Sequence, residues 1–169
     1  MSVWESVPWL LPGLLVSIGV SMGASGRVAS ALAVSRRTAA AGIASVGMIV
    51  SATLSPLREA IESGTTSSGS CDLSSLGLAS LAELMAVSLN DRFLNVVLFV
   101  PLGLVIGLAQ RSRRRAALYL AGGALPFAIE TTQLLVPSLA RACEGADVID
   151  NLTGLALGLF TGALISRVQ

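Results

Sequence analysis

The stretch DVIDNLTGLALGLFTGALI, residues 147–165, decides the class of this protein. From Ile149 to Ile165 it runs apolar apart from Asp150, Asn151 and two threonines. That length suits one crossing of a bilayer, which needs about 20 mostly apolar residues. Gly154, Gly158 and Gly162 recur every fourth residue and form a stripe against which a second helix can pack closely. Asp147, Asp150 and Asn151 put polarity at one end of the same helix.

Four further segments have the same character. They run from Val7 to Gly23, Ala39 to Leu57, Phe93 to Ala109 and Ala116 to Val136. The whole chain is 53% hydrophobic and 12% charged, with a mean hydropathy of +0.79. A soluble domain carries about 25% charged residues. The expected fold is therefore an all-α integral membrane protein, a five-span helical bundle. Three parts are expected: residues 1–57 with two transmembrane helices, 58–92 as an outer loop with an interfacial helix, and 93–169 as a core of three transmembrane helices.

Charge between the spans sets the orientation. The first loop holds Arg27, Arg36 and Arg37, and the third holds Arg111, Arg113, Arg114 and Arg115, with no acid in either. The second holds Glu59, Glu62, Asp72, Glu83 and Asp91 beside Arg58 and Arg92, and the fourth holds Arg141, Glu144, Asp147 and Asp150. Arginine in short loops marks the cytoplasmic side. The N-terminus is thus expected outside and the C-terminus inside, in a bacterial cytoplasmic membrane. The first span lacks the basic leader of a cleaved signal, since Glu5 precedes it, and is expected to be retained. Trp4 and Trp9 are expected at its outer interface.

In the long second loop, Leu76 to Leu89 is apolar but too short to span, which predicts an interfacial or re-entrant helix. Cys71 and Cys143 both fall in outer loops, on the oxidising side, and are candidates for a disulfide. Two unpaired thiols are the alternative.

Chemistry is confined to a few residues. Glu130 lies inside the fourth span, where an ionisable group is costly and so turns toward protein. Gln133 follows on the same helix face. Asn95 stands near the outer end of the third span, ahead of Pro101, where a kink is expected. Arg141, Asp147, Asp150 and Asn151 complete an outer-leaflet polar cluster. Helix capping explains one of the acids at the start of the last span, but not all three polar residues. There is no His and no Lys, and no basic patch interleaved with aromatics, which argues against nucleic-acid binding.

In order, Asn95, then Phe99-x-Pro101-Leu102-Gly103, Glu130-x-x-Gln133, Arg141 and Asp147-x-x-Asp150-Asn151-x-x-Gly154 resemble the VanZ-like family, over roughly residues 93–162. The Ala-Cys-Glu-Gly segment between Arg141 and Asp147 departs from that pattern. The resemblance implies an envelope protein with a role in low-level resistance to the glycopeptide teicoplanin, and supplies no reaction.

Three functions compete on these residues. The first is binding of a lipid-linked cell-wall component, a membrane lipid or a lipoglycopeptide by Asn95, Glu130, Gln133, Arg141, Asp147, Asp150 and Asn151, with Arg141 contacting anionic groups. The second is an enzyme on an envelope lipid or polyprenyl phosphate, with Glu130, Asp147 and Asp150 as candidate catalytic groups. Its carboxylates would act as an acid/base pair, or with an amide would hold a divalent cation. No cofactor motif or Gly-x-Ser-x-Gly elbow is present. The third is a purely structural polar network.

Overall fold

A computed structural model describes residues 7–74, 76–78, 91–109 and 114–168. The described residues form helices α1 (Leu10–Leu32), α2 (Arg36–Thr53), α3 (Arg58–Ser63), α4 (Asp91–Leu108), α5 (Arg115–Leu135) and α6 (Gly145–Val168). Two strands, β1 (Cys71–Asp72) and β2 (Cys143–Glu144), and one 3-10 turn (Pro137–Leu139) complete them. The chain is all-α apart from that small parallel β pairing, which the sequence did not lead one to expect.

Of the five long helices, α1, α4 and α6 are long and apolar enough to cross a membrane. The other two are diluted by polar residues. Arg36 and Arg37 open α2, which is otherwise rich in Ala, Gly and Ser, and α5 carries Arg115, Glu130 and Gln133. The first span extends beyond its expected end at Gly23 to Leu32, because Arg27 and Ser30 are tolerated on its exposed side. Most of the predicted interfacial helix, residues 79–90, lies outside the described residues, as do Trp4, Arg111 and Arg113.

Local signals set the turns. Ser35 caps α2, its side chain accepting from the Thr38 N–H. Ala33 closes α1 in the left-handed region, φ 53°, and its N–H donates to the Ala29 carbonyl. α1 and α2 then pack antiparallel as a hairpin. Gly13 lies against Ser51 and Gly47 against Ser17, and the Ser21 hydroxyl donates to the Ala40 carbonyl at 2.8 Å.

The most intimate contact is between α4 and α6, which run parallel. A Cβ on Gly154 would meet the Val96 carbonyl oxygen, one on Gly158 that of Val100, and one on Gly162 that of Leu104. Gly103 and Gly107 answer from α4. The four-residue repeat thus allows backbone-to-backbone approach, where dispersion replaces the hydrophobic effect that lipid does not provide. The helix runs on through Pro101, and α5 likewise through Pro126. The core around this seam is Ile49, Phe99, Leu102, Ile106, Ile129 and Leu155, drawn from α2, α4, α5 and α6.

This arrangement brings the start of α4, the end of α5, the end of α2 and the start of α6 to one end of the bundle. Every acid of the described residues belongs to that end. The opposite end carries Arg27, Arg36, Arg37, Arg114, Arg115 and Arg167.

Candidate ligand site

The cluster grows from helix periodicity. On α5, Gly122, Pro126, Ile129, Glu130 and Gln133 make one buried stripe, so a carboxyl and an amide face protein. Glu130 is 5% exposed, and its Oε2 accepts the Glu144 N–H at 2.9 Å. On α6, Asp150 and Asn151 are each 1% exposed. Asp147 lies a turn earlier and is half-buried, within hydrogen-bonding reach of Asn95 and in the field of Glu144, Asp150 and Asp91. The structure thus brings Asn95, Glu130, Asp147 and the β2 backbone together.

Two arginines are already committed. Arg92 grips Asp150 with a two-pronged ion pair, Nε to Oδ2 at 2.8 Å and Nη2 to Oδ1 at 3.0 Å. Its Nη2 also donates to the Gly77 carbonyl at 2.5 Å, tying the long second loop to α6. In the sequence Arg92 stands only as one of the charges of the second loop. Its signal was present: it stands one turn ahead of Asn95 on the helix that packs on α6.

Arg141 does something other than meet an anion. Its Nη2 donates to the Ala52 carbonyl at 2.9 Å and its Nε to the Ser55 carbonyl at 3.2 Å. Beside them, Gln133 Nε2 donates to the Thr53 carbonyl at 3.0 Å. The last carbonyls of α2 have no partner within the helix and carry the negative end of its dipole, so a guanidinium and an amide are apt caps. Burial lowers the Arg141 pKa from its ordinary value, while Asp91 and Asp147 oppose that shift. A guanidinium stays charged regardless.

Over the cluster, Cys71 and Cys143 form a disulfide with a Cα–Cα distance of 4.5 Å. The β pairing sets Cys71 against Cys143 and Asp72 against Glu144. This bridge therefore holds the backbone N–H that reaches Glu130. The segment Ala142 to Gly145, which looked like a departure from the pattern, supplies both the strand and the bridge.

After these bonds are made, two buried side-chain atoms have none among the described residues: Gln133 Oε1 and Asn151 Oδ1. Both are acceptors. Among the described residues, no group of three or more His, Cys, Asp or Glu is arranged to hold a metal ion.

A family profile described as VanZ/LLP1 matches residues 34–166. The chain belongs to the VanZ/LLP1 family. The match begins well ahead of the Asn95 motif and takes in α2. In this structure α2 belongs with the site, since Gln133 ends on the Thr53 carbonyl and Arg141 on those of Ala52 and, just past the helix, Ser55. No curated protein and no solved structure gave a match to this chain. As a VanZ/LLP1 protein with three membrane-length apolar helices, it is a membrane protein.

Proposed function

We propose that this VanZ/LLP1 protein crosses the bacterial cytoplasmic membrane five times and binds an envelope ligand at the acidic end of its bundle. In this reading α2 and α5 also span, because their polar residues face protein or sit at the ends. The arginine-bearing end then faces the cytoplasm and the acidic end faces outward. The ligand is a lipid-tailed glycopeptide of the teicoplanin kind, or the amide- and hydroxyl-bearing part of a lipid-linked wall component, with its tail in the bilayer.

One observation carries this reading. Among the described residues, the two buried side-chain atoms left without a partner are acceptors, Gln133 Oε1 and Asn151 Oδ1. Buried acceptors are nearly always satisfied, so the missing partner is a donor. Glu130 lies one helical turn from Gln133, and Asp147 one turn from Asn151, so each of these acceptors has a carboxyl nearby. A ligand presenting hydroxyl, amide or ammonium groups complements that surface, and an anionic group does not.

The roles therefore divide. Asn95, Glu130, Gln133, Asp147 and Asn151 form the binding set. Asp150 and Arg141 are scaffold, because each is already engaged by Arg92 or by α2.

Expression in a teicoplanin-sensitive host tests this. Wild type is expected to raise the inhibitory concentration, and Glu130→Gln and Asp147→Asn to lose that gain at unchanged membrane abundance. Equal survival of wild type and both variants would refute the reading. Loss of survival only where abundance also falls would assign the cluster to structure.

A further inference from the structure

The arginine-bearing end holds a feature of a different kind. A cavity of about 440 Å³ opens there between α1, α2, α4 and α5. Its lining is almost wholly apolar and runs inward from Val34, Thr38 and Leu118 to Gly42 and Gly122. Those two glycines sit where an added Cβ would press on the Val105 and Ile106 side chains that line it. Its size falls within the range of ligand pockets, about 300–1,000 Å³. An apolar space facing hydrocarbon is filled by hydrocarbon, since an empty one forfeits dispersion contacts.

The mouth decides which lipid fits. Thr38 is the neighbour of Arg37, and Leu118 lies one turn beyond Arg115. Arg37 and Arg115 are both exposed, and among the described residues neither side chain makes a hydrogen bond or ion pair. No acid of the described residues is at this end to compete with a phosphate. Neither arginine lines the cavity itself, but each stands within a turn of a residue that does, and basic groups beside an apolar slot match an anionic head on an acyl chain.

We infer that this cavity seats one acyl chain of an anionic phospholipid, with the lipid phosphate held by Arg37 and Arg115. The site is separate from the acidic cluster and holds for either orientation of the chain in the membrane. The lipid chain packs the α1–α2 hairpin against α4 and α5.

The full chain, purified in mild detergent and incubated with phosphatidylglycerol or phosphatidylcholine of identical chains, tests this by native mass spectrometry. Wild type is expected to retain phosphatidylglycerol over phosphatidylcholine on the order of tenfold, given two basic contacts. Arg37→Gln with Arg115→Gln removes the preference. Ala121→Phe, at the exposed edge of the cavity, reduces retention of both lipids. Glycerol phosphate added in excess does not displace the lipid, because it lacks the chain. Equal retention of the two lipids by wild type would overturn the proposal. So would phosphatidylglycerol retention unchanged in both variants.

Discussion

Removing Arg92 tests how far the acidic end depends on its own pairing. Asp150 is 1% exposed, and both of its oxygens are held by Arg92, whose side chain is 25% exposed. Arg92→Ala leaves a carboxylate buried without its cation. Breaking a buried pair in this way costs about 3–5 kcal/mol. Because Arg92 retains some contact with solvent, the lower end applies, about 3 kcal/mol. The bond to the Gly77 carbonyl is also lost, adding about 1 kcal/mol. A chain of this size loses roughly 2–4 °C per kcal/mol, so the midpoint in detergent should fall by about 8–16 °C. The double variant Arg92→Ala with Asp150→Ala should recover more than half of that loss, since no unpaired charge remains. Thermal unfolding of the three variants beside wild type, followed by tryptophan fluorescence, supplies the comparison. Additive losses in the double variant would refute the reasoning, because they would mean the two side chains do not act as a pair.

Two further outcomes rest on packing and on the bridge. Gly158→Ala should destabilise or misassemble the bundle, costing about 1–3 kcal/mol or more, because its Cβ meets the Val100 carbonyl; Gly19→Ala, which meets open space, is the control. Detergent midpoints of the two side by side check this. Cys71→Ser opens a loop of sequence separation 72, worth about 4 kcal/mol in the chain-entropy model. It should also abolish the mobility difference between reduced and unreduced samples on a denaturing gel, and weaken the proposed protection against teicoplanin by releasing the Glu144 N–H from Glu130.

Much of this protein could be read along the chain because the cues are periodic or local. Apolar runs of spanning length, the four-residue glycine repeat of α6 and the alternation of arginine and acid between segments each need only neighbouring residues. Helix rise and bilayer thickness do the rest. Glu130 and Gln133 could be assigned to the interior for the same reason, since a carboxyl in hydrocarbon turns toward protein wherever it lies. Pairing is another matter. A guanidinium is satisfied equally by a carboxylate, a phosphate or a helix end, so Arg141 in sequence looks like an anion contact. Only with α2 brought alongside, some 86 residues upstream, does it become a cap on the Ala52 and Ser55 carbonyls. Arg92 and Asp150 lie 58 residues apart and meet because glycines let α4 and α6 touch. The cavity at the basic end is a space between four helices and is encoded in no single one. Local chemistry chooses helix, depth and face; which donor meets which acceptor follows from how the helices pack.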